Sequence, residues 1–185
     1  MKPDALKPEL LTVDELFSHG NVYTVPIYQR NYAWRAAQIE QLISDIQDAA
    51  MGHESSYFLG NLVVTPRAKP NDFEVIDGQQ RLTTLFLLHC YLAWHIPETQ
   101  GAQLPWHAFS YATRPGARAF CKFLTGCRPD LAHSKVSDWL KDQSNYLPTW
   151  KHDPTIQGML VMLDAVHERY SKDPGKKDRK STRLN

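Results

Sequence analysis

The chain has few of the residues that build disulfide frameworks and metal cages. Its only cysteines are Cys90, Cys121 and Cys127, with no Cys-x-x-Cys pair. That excludes a disulfide-stapled scaffold and a thiolate zinc site, and the three read as reduced thiols, mostly in the core. The eight histidines include no His-Glu-x-x-His, so a metal centre built by the protein alone has no support. Long apolar runs are also missing. The longest, Leu82 to Ile96, is interrupted by Thr83, Thr84, His89 and His95 and does not suit a bilayer. Met1 to Leu11 carries Lys2, Asp4, Lys7 and Glu9 and lacks the apolar core of a secretory signal. The expectation is a cytoplasmic protein with no membrane contact. No Gly-x-x-x-x-Gly-Lys, no dinucleotide fingerprint and no internal repeat occurs either.

Charge of one sign is lacking overall, with 21 Lys or Arg against 20 Asp or Glu. The balance is uneven along the chain. Ser171 to Asn185 holds six basic and two acidic residues, which leaves Met1 to Tyr170 with 15 basic and 18 acidic side chains, a net of −3. The body is therefore no basic nucleic-acid platform. The tail has no apolar periodicity and reads as a solvated end, or as the edge of a chain cut from something longer. What is plentiful is core material. Seven Phe, eight Tyr and five Trp in 185 residues, with 42% hydrophobic residues, suffice for one domain, or one and a partial second.

Thr12 is placed to cap a short helix, Val13 to Ser18. Tyr23 to Tyr28 reads as an edge strand or extended segment interrupted by Pro26. From Ala36 to Ala50, Ile39, Leu42, Ile43 and Ile46 share one helical face. Tyr57 to Thr65 reads as a strand buried on both faces, and Phe73 to Ile76 as a second, joined by the turn-rich Pro66 to Asp72. Gly60 within the first implies that another group approaches its backbone closely. Gln79 to His95 is apolar on nearly every side, a central buried helix ended by Pro97. Pro97 to Trp106 reads as a linker and the remainder as helical. Pro115 to Leu124 ends at Gly126, Ser134 to Leu140 is short, and Asp153 with Pro154 opens Thr155 to Tyr170.

The segment Phe73 to Leu85, FEVIDGQQRLTTL, carries the most chemistry. A strand running into a helix N-terminus gathers unpaired backbone N–H groups at one point, and the helix dipole favours an anion there. Gly78 lets an anion approach the backbone, and Arg81, one turn in, can fork onto two phosphate oxygens. Asp77 can hold a magnesium-bound water or orient an attacking one, and Gln79 and Gln80 can position that water or read a base. The plainer alternative is a turn at Asp77 and Gly78 with two exposed amides behind it. A second cluster, VPIYQRNYAW from Val25 to Trp34, sets Gln29 and Arg30 among Tyr28, Tyr32 and Trp34. The rings either clamp a nucleobase or belong to the core, and Arg30 faces either an anion or a surface ion pair.

The ordered set YQRNYAW, YFLGNLVV and EVIDGQQRLTTL resembles the N-terminal domains of GmrSD-type modification-dependent restriction proteins, a branch of the ParB and sulfiredoxin-like superfamily. The Asp-Gly-Gln-Gln-Arg motif stands intact as Asp77 to Arg81, and YATRPGARAFCKFL (Tyr111 to Leu124) and WKHDPTIQGMLVML (Trp150 to Leu163) extend the likeness over about Leu10 to His167. The resemblance implies an α+β fold: a small mixed sheet forming a nucleotide-binding core over residues 1–96, and a helical extension packed on it over 97–170. Residues 171–185 would be a disordered or truncated tail. It also implies nucleoside triphosphate hydrolysis that licenses DNA restriction in phage defence. By that likeness Arg81 contacts phosphates, Asp77 and the glutamines assist the water or a magnesium ion brought with the triphosphate, and Gln29 and Arg30 form the opposite wall. Arg114 is either a third cationic contact or a helix-entry residue paired at the surface. In such proteins DNA cleavage belongs to a separate C-terminal nuclease of His-Asn-His type, which nothing here resembles. The expected partners are therefore DNA and a nuclease domain or subunit in a longer context.

Three functions follow. The first is a magnesium-dependent triphosphate hydrolase. The second is a non-catalytic nucleotide-sensing or DNA-binding regulatory module. The third, a nuclease at the corner itself, is the weakest, because only Asp77 stands there, with Glu74 nearby on the strand, and phosphodiester cleavage usually gathers several carboxylates around metal.

Overall fold

The computed structural model describes residues 8–18, 20–52, 56–96, 109–112 and 114–171. The Pro97 to Trp106 linker, and the tail from Lys172 onward, lie outside the described residues. The fold is α+β. A four-stranded mixed sheet is built from β1 (Val22–Val25), β2 (Val63–Pro66), β3 (Asp72–Asp77) and β4 (Phe109–Tyr111), in the order β2-β3-β1-β4. Among the described residues it is accompanied by six α-helices, α1 (Val13–Ser18), α2 (Ala36–Met51), α3 (Gln79–Trp94), α4 (Pro115–Thr125), α5 (Val136–Lys141) and α6 (Pro154–Ser171), and a 3-10 turn at Pro148–His152. Among the described residues no helix is long and apolar enough to cross a membrane.

Local chemistry sets the helix boundaries. Thr12 and Glu15 form a reciprocal cap, with the Glu15 N–H donating to Thr12 Oγ1 at 3.1 Å and the Thr12 N–H to Glu15 Oε2 at 2.7 Å. The Asp153 carboxylate accepts from the N–H groups of Thr155 and Ile156 at 2.8 and 3.2 Å, with Pro154 as the first helical residue. Helix α3 is buried along nearly its whole length and packs on α6, which also contacts α2 and α5. Ile156, Met159, Leu163 and Val166 of the α6 stripe are fully enclosed, each stabilising the fold by about 1.5–3 kcal/mol.

Four expectations need correction. Tyr57 to Leu62 is irregular rather than strand, and Tyr57 and Phe58 are exposed; only Val63–Pro66 pairs, at the sheet edge. The segment is drawn off the ladder because Gly60 and Asn61 pack onto the start of α3. Strand β1 lies inside the sheet, between β3 and β4. Pro26 falls just past its last paired residue, so the missing N–H leaves no ladder bond unmade. Strand β4 lies within a stretch that reads as helical, its three residues too few to show a period. Ile46 is 37% exposed, at the margin of a face whose other members are buried.

Strands β3 and β4 both run parallel to β1. Three carboxyl ends therefore open onto one edge of the sheet, where open α/β sheets place their ligands. Pro26 to Arg30 follows β1, Gly78 to Arg81 follows Asp77 at the end of β3, and Arg114 follows β4. Candidate residues some 85 positions apart in sequence, such as Gln29 and Arg114, are thereby in hydrogen-bond contact.

Candidate functional site

The corner between β3 and α3 begins with an irregularity. Val63 pairs with Asp77 and Val64 with Val75, so Ile76 is an extra residue in β3. Its carbonyl, freed from the ladder, accepts from Gln29 Nε2 at 2.7 Å. Ile76 and Asp77 are both exposed, whereas Val75 is buried. The Asp77 carboxylate has no hydrogen bond or ion pair among the described residues. Gly78 follows in the left-handed region, with φ +90°. A Cβ there would meet Asn61 O and Leu62 Cδ1, both at 3.0 Å. No side chain caps α3, so its first-turn N–H groups, which have no intrahelical acceptor, are left for another anion or for water.

Arg81 is half-buried and donates from one guanidinium nitrogen to Asn61 O at 2.9 Å. Gly60, at φ +107°, makes room for it: a Cβ would stand 2.8 Å from Arg81 Cζ. The approaching group that the glycine implied is this guanidinium. No carboxylate pairs with it among the described residues, and most of its five N–H donors are unbonded.

The two glutamines are placed differently from a pair of exposed amides. Both are buried. Gln79 Nε2 donates to Arg30 O at 2.8 Å, and Gln80 Nε2 donates to Asn31 O at 3.0 Å while its Oε1 accepts from the Ala33 N–H at 2.8 Å. Their amides clasp the backbone of the segment after β1. The buried Tyr111 hydroxyl, pushed up by burial, lies in this network beside Thr83 and Gln79. Arg30 is exposed, and its guanidinium has no partner among the described residues.

Arg114 also reaches this segment. It donates to Gln29 O at 2.8 Å, to Thr155 Oγ1 at 2.7 Å and to Asn31 Oδ1. None of these acceptors is a carboxylate. Asn31 and Thr155, which composition and spacing did not single out, are thus joined to the site; the polar pair Arg30-Asn31 between aromatics was the available signal. Of the three rings, Tyr32 is core, its hydroxyl 2.8 Å from Thr84 Oγ1. Trp34 is half-buried, and Tyr28 alone is exposed, donating to Glu74 Oε1 at 2.9 Å. That bond ties Glu74 to the strand face.

Among the described residues no three His, Cys, Asp or Glu side chains gather as a metal site. Asp77, exposed and unpaired, suits contact with a magnesium-bound water, and the other ligands would have to come from a phosphate chain. No curated protein matches the chain. Residues 13–182, nearly its whole length, match the family model described as the GmrSD restriction endonuclease N-terminal domain.

Proposed function

The chain belongs to the family of GmrSD restriction endonuclease N-terminal domains and so to a restriction system, and from that premise we propose that it binds and hydrolyses a nucleoside triphosphate with magnesium. The observation that carries the reading is Arg81: a guanidinium seated on Gly60, with no carboxylate partner among the described residues, beside an uncapped helix N-terminus. Phosphates placed there would meet backbone N–H groups, the Arg81 fork and, across the strand ends, Arg30. Positioning and charge stabilisation would do the catalysis. Asp77 would orient the attacking water or hold magnesium through water. Hydrolysis would license DNA cleavage by a nuclease domain or subunit, in the cytoplasm, where the three buried thiols stay reduced.

One observation favours a second reading, a nucleotide sensor without turnover. The Gln79 and Gln80 amides each bond backbone of the segment after β1, which favours a structural role for them over holding the attacking water. Phosphate release from ATP, GTP, CTP and UTP, with and without magnesium, separates the two. Magnesium-dependent release identifies a hydrolase and its base. Calorimetric binding without release identifies a sensor, and neither binding nor release rejects both.

A further inference from the structure

The segment after β1 is held from three helices at once. Gln79 and Gln80 of α3 bond its backbone at Arg30, Asn31 and Ala33. Thr155, in the first turn of α6, and Arg114, the residue before α4, meet it at Asn31 and Gln29. Three of Arg114's N–H donors are taken by acceptors in two separate parts of the chain. A planar fork can reach them together; an ammonium on a flexible stem cannot match that geometry. Since every one of those acceptors is neutral, what this position supplies is reach rather than charge neutralisation.

We propose that Arg114 is the positioning residue of the site: a strut that fixes Gln29 to Asn31 against α6, and thereby sets where Arg30 stands relative to the β3–α3 corner. The helical half of the fold then governs how tightly the corner takes a triphosphate. The ligand in this proposal rests on the functional reading above, while the strut itself rests on the geometry. It removes Arg114 from the phosphate contacts and gives it control of another residue that makes one.

Arg114→Lys keeps the charge and loses the fork. Asn31→Ala, at an exposed position, removes one acceptor and leaves Arg114 in place, so it tests the strut even where Arg114→Lys folds poorly. Lys122→Ala, exposed on α4, is the control. Two quantities are read: kcat and KM with the best magnesium–triphosphate substrate, and hydrogen exchange of the backbone amides of residues 29–33. Both variants are expected to raise KM roughly tenfold with kcat within about twofold, to speed exchange in 29–33, and to add little once Arg30→Ala is present. Wild-type KM with wild-type exchange overturns the proposal, and so do KM losses fully additive with Arg30→Ala, which would mark a separate phosphate contact. If the wild-type chain neither binds nor hydrolyses any triphosphate, the functional reading fails. Exchange then decides the strut alone: faster in both variants and unchanged in the control upholds it, and rates equal to wild type overturn it.

Discussion

Gly60 and Arg81 compete for one volume: a Cβ on Gly60 would lie 2.8 Å from the Cζ and from one terminal nitrogen of Arg81. Alanine at this position would meet two obstacles. The φ of +107° disfavours any side chain, at about 1–2 kcal/mol, and the guanidinium would have to swing away. Gly60→Ala is expected to lower stability by that modest amount in urea unfolding and to weaken triphosphate binding about tenfold or more. Unchanged affinity would separate the seat from the ligand.

Arg81→Ala removes the fork while sacrificing one partly exposed hydrogen bond to Asn61 O, worth about 1 kcal/mol in stability. A lost transition-state arginine contact costs on the order of 3 kcal/mol, or about a hundredfold in rate. Phosphate release should therefore collapse in a variant whose unfolding curve barely moves. Wild-type turnover would reject the assignment.

The contrast between these residues and the glutamines shows what a sequence makes legible. Caps are local: Thr12 with Glu15, and Asp153 with Thr155, sit three residues or fewer apart, and their chemistry is visible in order. The strand-to-helix corner at Asp77 to Arg81 is local too. The acceptors of Gln79 and Gln80 lie 49 positions upstream, and those of Arg114 lie 41 to 85 positions away. Nothing in a window of residues encodes such partners. They follow from β3 and β4 running parallel to β1, a topological fact that itself depended on β4, too short to betray a period.

Gly158 of α6 packs against the same segment, and a Cβ there would stand 2.7 Å from the Tyr32 carbonyl oxygen. Alanine normally improves a helix interior by up to about 1 kcal/mol. Here the obstacle is backbone, which cannot rotate aside, and overpacking costs about 1–3 kcal/mol. Gly158→Ala is expected to lower the thermal midpoint, with triphosphate affinity falling as the Tyr32 segment shifts. A raised midpoint would show that α6 has room to move.

Burial pushes the Cys127 thiol up from 9.0 to about 11, with Arg128 pulling weakly the other way. The unfolded chain releases this proton near pH 9 and the native chain near 11. Between those values the native state holds more protons, so raising the pH favours unfolding. The contribution is whole below pH 9 and is lost as the pH climbs through 11. Cys90, Cys121 and Tyr111, also raised by burial, act in the same direction. Urea midpoints should hold steady from pH 7 to 9 and then fall, less steeply in Cys127→Ser. A flat profile to pH 11 would refute the burial of these thiols.

The added residue at Ile76 has a consequence for the acid that follows it. In an unbroken ladder, alternation would turn Asp77 to the side of Val75, the enclosed side of the sheet. One residue of slack in β3 keeps that carboxylate in water and within reach of a visiting cation. Were the same residues paired without that slack, a charge would be driven toward oil, so the irregularity is what lets an acid close this strand.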